Sequence, residues 1–167
     1  VLLVILFCTW VASGFGWKQH SPGFERLHYR IGARALKVFF WFFGGVLRLT
    51  MVTSGSDDED ADAARAAFDA LFAPGAPLVV ASRHAGPGDS FIIVHTLLNE
   101  VDRYPRIVLK YTMQWDPGID ALLNRLPMRF IVPSGFGATR TGGGQGVEDD
   151  LRELASGLGP DDAFVIF

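Results

Sequence analysis

The chain has 167 residues, 49% of them hydrophobic and 20% charged, with a mean hydropathy of +0.25 and a single cysteine, Cys8. That balance excludes a disordered chain and a disulfide framework, and one cysteine without a Cys/His cluster argues against structural zinc. The formal net charge of −3 conceals a split: residues 1–56 carry six Lys/Arg against Glu25 alone (+5), and residues 57–167 carry nine against seventeen acids (−8). A basic, apolar head on an acidic body points to a membrane-associated head and away from a nucleic-acid binder. The chain opens at Val1 inside an apolar run and stops at Phe167 inside a strand-like run, so it reads as a fragment truncated at both ends.

Residues 1–17 carry no charge. As a helix they would reach about 25 Å, just short of the ~30 Å hydrocarbon core, and a longer natural segment could span it. A signal peptide is the competing reading, because Ala12, Ser13 and Gly14 follow the apolar stretch. The cations, however, lie after the stretch: Lys18, Arg26, Arg30, Arg34 and Lys37 place the downstream chain on the cytoplasmic face of the cell membrane. Residues 38–47 form a second apolar block, too short to span. Its aromatics and flanking cations suit a helix in the membrane interface, with a buried core helix as the alternative, and Gly44 and Gly45 weaken any long helix there. Trp10, Trp17 and Trp41 suit interfacial anchoring, and His20 and His28 share that setting. Residues 49–53 are β-prone enough for a lead-in strand, which makes 1–55 the membrane anchor and 56–167 the body.

In the body, Ser56 and Glu59 form a capping box whose acids complement a helix start, with Ala63, Ala67, Phe68, Leu71 and Phe72 on one side. Strands are expected at 78–82, 107–110, 129–132 and 163–167. Helices are expected around 91–98, 116–126 and 147–156, with a Gly/Thr-rich loop at 134–146. Alternating helices and short apolar strands predict an α/β fold with a mostly parallel sheet, flanked by helices on both faces. The glycine clusters at 135–140 and 142–146 complete neither a dinucleotide fingerprint nor a P-loop, and read as loop.

Functional groups in such sheets gather on loops at the carboxyl ends of the strands. After the strand at 78–82 comes Arg83-His84-Ala85-Gly86-Pro87-Gly88-Asp89. A carboxylate that accepts from one ring nitrogen of His84 fixes the tautomer and leaves the other nitrogen as a base. Without a neighbouring serine or cysteine nucleophile, this dyad would activate a hydroxyl of the substrate. The bland alternative is a helix-capping Asp89 beside a solvent-facing His84.

The segment 84–89 resembles the HxxxxD box of the glycerolipid acyltransferases, the family of 1-acylglycerol-3-phosphate acyltransferase. The resemblance extends over nearly the whole chain: an apolar anchor, a strand, the box, then Ile107-Val108-Leu109-Lys110, a helix, Phe130-Ile131-Val132, a helix and Phe164-Val165-Ile166-Phe167. It implies acyl transfer from acyl-CoA or acyl-carrier protein to the hydroxyl of lysophosphatidic acid or a similar glycerolipid. His84 would be the general base and Asp89 its orienting partner, with neither a metal nor an acyl-enzyme, and membrane lipids would be the partners. Lys110 takes the place of a cation near the acceptor phosphate, or is a solvated strand-end lysine. Arg140, Arg129 and Arg83 are further candidate cations. Phe167 would begin a Phe-Pro-Glu-Gly box, so Pro-Glu-Gly is expected next, and activity from these residues alone is not expected. Arg83 stands where the family usually has Asn, Gly86 where Ser is common and Pro133 where an arginine is usual; these departures leave the acceptor open. The alternatives are a hydrolase or transacylase with its nucleophile elsewhere, and a non-catalytic membrane-tethered lipid-binding module.

Overall fold

The computed structural model describes residues 1–48, 61–73, 75–82, 88–110, 117–131 and 143–166. The expected strand at 49–53 and the Ser56/Glu59 capping box lie outside them. The elements in order are α1 (Leu2–Ala12), α2 (Pro22–Leu47), α3 (Ala61–Leu71), β1 (Leu78–Ala81), α4 (Asp89–Asn99), β2 (Tyr104–Lys110), α5 (Pro117–Leu123), β3 (Arg129–Ile131), α6 (Gly143–Ser156) and β4 (Asp162–Ile166).

The uncharged N-terminal stretch is not one helix. α1 ends at Ala12, about 16 Å long. Gly14, Phe15 and Gly16 then take three successive left-handed conformations (φ 75°, 57° and 93°) that reverse the chain. Two of the three are glycines, for which this region carries no Cβ penalty. α2 starts on Pro22, whose fixed φ suits a first helical position. It runs unbroken to Leu47, so residues 38–47 are the end of a 26-residue helix and not a separate one. Gly44 and Gly45 cost roughly 1 kcal/mol each in a helix, which tertiary packing outweighs. Phe39 stacks on Phe91 of α4 (centroids 5.5 Å, 22° between planes), and Phe40 lies 4.6 Å from the His95 ring. Among the described residues no helix is long and apolar enough to cross a membrane.

The four strands form one parallel sheet in the order β1-β4-β2-β3. The connections through α4 and α5 advance in one direction and the connection through α6 turns back. Right-handed crossovers therefore place α4 and α5 on one face and α6 on the other. The side chains agree: Ile107 and Leu109 face α2 and α4, and Leu97 of α4 packs with them. On the opposite face, a Cβ at Gly157, just past α6, would stand 3.0 Å from Arg106 Nη1.

β4 is covered on both sides and β1 is not. The first four residues of β4 are buried, whereas along β1 Val79 is 62% exposed. β1 is an edge strand, and the expectation of fully covered strands fails there. α3 likewise presents less than its pattern promised: Leu71 is exposed, while Phe72 packs against the core. Residues 143–146, expected in the Gly/Thr-rich loop, open α6 instead, and 134–142 lie outside the described residues.

The basic head is built into the core. Tyr29 of α2 is 2% exposed, clusters with Leu97, Ile107, Leu126, Met128 and Val165, and donates its hydroxyl to Pro105 O at 2.9 Å. Burial pushes that phenol far above its ordinary pKa, with Glu25 and Asp162 adding in the same sense, so it stays a hydrogen-bond donor. At the amino ends of the strands Arg103 is 1% exposed. It donates to the carbonyls of Phe72 (3.0 Å), Ala76 (2.8 Å), Pro160 (2.6 Å) and Ala73, fastening the end of α3 to the loop before β4. Its fork geometry can satisfy several carbonyls at once.

Candidate functional site

β1 ends at Ala81 and α4 begins at Asp89, and the carboxyl ends of the strands are where open α/β folds concentrate function. Ser82, just past β1, donates its backbone N–H to Ile166 O at 2.9 Å, which holds the end of β1 on the end of β4. Asp89 is the first residue of α4, after an N-cap at Gly88, and Ile92 N donates to Gly88 O at 3.1 Å. A carboxylate in that first turn complements the positive end of the helix dipole. β1 and α4 thus bracket the box, with Asp89 at its far end. His84, Arg83 and Arg140 lie outside the described residues. Lys110 closes β2 at the same end of the sheet, its backbone paired with Ile131 of β3. Arg129, at the start of β3, makes an ion pair with Glu153 of α6 at 2.8 Å. Among the described residues no cluster of His, Cys, Asp or Glu could hold a metal ion.

Directly behind Asp89 along α4, Ser90 and Phe91 line an apolar cavity of about 480 Å³. This lies within the ~300–1,000 Å³ range of small-molecule sites. Tyr29, Gly32, Leu36 and Phe39 of α2 form one wall, Val94 and Leu98 of α4 another. Ile107 and Leu109 of β2 make the floor. Leu122 and Leu123 of α5 close the far side, and Leu2 of α1 stands at the edge. Its polar groups are few, and the Tyr29 hydroxyl is already engaged with Pro105. The space suits a flexible hydrocarbon and offers little to a polar solute.

The sequence pattern marks Ile107 and Leu109 as strand residues but does not mark the cavity they floor. The signal was present in the spacing of Tyr29, Gly32, Leu36 and Phe39, which shares one helical face and sets a glycine between large side chains. It was hidden by dividing the helix into a cationic stretch and an aromatic block.

His28, expected at a membrane interface, is fully buried under α1. Its Nε2 lies 3.2 Å from both Thr9 Oγ1 and Arg125 Nη1, and Arg125 Nη1 donates to Leu6 O and Thr9 Oγ1 at 2.8 Å each. Facing a guanidinium, Nε2 must accept, so the ring proton sits on Nδ1. Burial lowers the His28 pKa below its ordinary value, Arg125 lowers it further, and the Phe24 carbonyl pulls weakly the other way. His95, on the cavity-lining helix, bonds to Asn99 Nδ2 at 3.2 Å and is also held neutral chiefly by burial.

Compared with known proteins, the chain matches no family model, no curated protein and no solved structure.

Proposed function

We propose that this chain belongs to a membrane-bound acyltransferase, which moves a fatty acyl group from acyl-CoA or acyl-carrier protein to a hydroxyl of lysophosphatidic acid or a similar glycerolipid. The observation that carries the reading is the apolar cavity beginning at Ser90 and Phe91, the residues that follow Asp89 along α4. An apolar space that starts beside Asp89 suits acyl transfer, which needs the thioester carbonyl at the base and the tail out of water. The parallel sheet, with the box between its first strand and the next helix, supports the same reading.

In this mechanism His84 removes the proton of the acceptor hydroxyl while Asp89 holds the imidazole in the right tautomer. The oxygen attacks the thioester carbonyl, the tetrahedral intermediate collapses, the carbon–sulfur bond breaks, and the imidazolium returns its proton to the departing thiolate. No acyl-enzyme forms and no metal takes part. Lys110, with Arg83 and Arg140, supplies positive charge for the acceptor phosphate.

In the complete natural protein, His84→Ala is expected to lower acyl transfer by at least ~10²-fold, with folding, vesicle binding and acyl-chain binding unchanged. Transfer at the wild-type rate would remove His84 as the base. Acyl-chain binding without transfer in the wild-type protein would favour a non-catalytic lipid-binding module.

A further inference from the structure

We propose that α1 is a lid over the apolar cavity, held on the body by the Thr9–His28–Arg125 contact and released onto an anionic phospholipid surface. The idea rests on the acyl-site reading only for what enters the cavity.

α1 carries no charge and is apolar apart from Thr9. Leu2, Leu6, Thr9 and Ser13 follow a helical stripe turned inward: Leu6 and Ser13 are 1% exposed, and Leu2 edges the cavity. Leu3, Val4, Phe7 and Val11 face outward and are 40–64% exposed. In water the inner stripe must stay covered, so α1 remains against α5. In lipid the balance changes, because acyl tails are as apolar as leucine and bury Leu2 and Leu6 as well as the body does. The apolar part of the hold then vanishes. What remains is polar: Arg125 Nη1 on Leu6 O and Thr9 Oγ1, and His28 on Thr9. That contact decides between closed and open.

The occupant of the outer face is argued from its surroundings. The exposed row of α1 shares its character with Val38, Trp41, Phe42 and Val46 at the end of α2, and with Phe15 and Trp17 in the turn between them. Exposed cations accompany these residues at Lys18, Arg34, Lys37 and Arg48, which suits an anionic headgroup layer. The hinge is the left-handed run Gly14-Phe15-Gly16, which can absorb a swing of α1 without disturbing α2, whose Tyr29 is anchored in the core. Moving α1 removes Leu2 from the cavity edge and opens it toward the bilayer.

The native cysteine reports this motion. Cys8 lies exposed on α1, and a second label fits at exposed Glu100 after α4 through Glu100→Cys. Pulsed electron paramagnetic resonance on the doubly spin-labelled chain should give one short distance in buffer. A second, longer distance should appear with phosphatidylcholine/phosphatidylglycerol vesicles. Thr9→Val, which removes the Thr9 hydroxyl from the contact and leaves Arg125 on Leu6 O, should raise the open-to-closed ratio on vesicles roughly 2–10-fold, as expected for one net hydrogen bond. Arg125→Leu should raise it further. An unchanged distance distribution on vesicles that carry the protein down in sedimentation would overturn the lid. Failure to sediment with them would overturn the lipid occupant, and an unaltered ratio in both variants would overturn the contact as the latch. None of these readouts involves acyl transfer, so a mobile α1 in an inactive protein would reject the proposed reaction and leave the lid standing.

Discussion

At the residue scale, two histidines leave a signature in stability against pH. His28 and His95 both titrate below the ordinary value of 6.5, each chiefly because burial disfavours the imidazolium. As the pH falls below about 6.5, the unfolded chain therefore takes up protons ahead of the folded chain. The stabilisation from neutral, buried imidazole is complete above that pH and declines as the pH falls below it toward the folded values. Glu25 shifts the other way, raised chiefly by burial, with Arg106 opposing. Its contribution is fully present below its ordinary 4.5 and fades as the pH rises through the folded value, so toward acid pH it opposes the histidine effect. Urea denaturation at pH 7.5, 6.5 and 5.5 should show stability falling over this interval, by at most about 1.4 kcal/mol per pH unit from each histidine. His28→Gln should flatten the profile. An identical slope in that variant would mean that His28 is not held neutral under α1.

At the element scale, α2 joins exposed apolar surface, core and cavity wall in one helix. Gly32 sits where α2 meets α5: a Cβ there would stand 3.4 Å from Leu122 Cδ2, an ordinary contact, so alanine fits and anything longer enters the cavity. Gly32→Val should therefore shorten the space available to a chain. Each methylene that no longer fits forgoes about 0.8 kcal/mol of burial, roughly a fourfold loss of affinity. Displacement of a fluorescent fatty acid by acyl chains of graded length should show the longest competitors weakened and the shortest unchanged. Uniform weakening at all lengths would place Gly32 outside the binding path. The strand–helix alternation was legible because β2, α4, α5 and β4 are apolar runs punctuated by Pro117, Gly157 and Gly159, which are local signals. The continuity of α2 was not, because packing of Phe39 and Phe40 on α4 overrides the glycine pair from more than forty residues away. The half-covered state of β1 was hidden for a related reason: strand order is set by the crossovers, and no local pattern marks an edge. In the candidate site, the box stood out as a motif, whereas the cavity behind it exists only once α2, α4, β2 and α5 are assembled.

At the scale of the whole molecule, the proposed lipid contact would use the exposed cations and aromatics of the first 48 residues, even though α2 is anchored in the core. Two forces should act on that surface, and salt separates them. Lys18, Arg34, Lys37 and Arg48 are exposed and contribute about 1 kcal/mol each near an anionic headgroup layer, a term that fades beyond a Debye length and at high ionic strength. Trp41 and Phe42, 77% and 51% exposed, contribute by insertion, which salt leaves largely intact. Sedimentation with vesicles should thus show tighter binding to anionic than to neutral lipid at about 50 mM salt, and a much smaller difference at about 500 mM. The double variant Trp41→Ser, Phe42→Ser should weaken binding to both lipids at both salts by a similar factor, since it removes only the apolar part. If high salt releases the wild-type protein from both vesicle types completely, the contact is electrostatic alone. The exposed aromatics would then need another partner. If binding persists but the double variant is unaffected, insertion runs through α1 and not the end of α2, and the row Leu3, Val4, Phe7 and Val11 becomes the face to substitute.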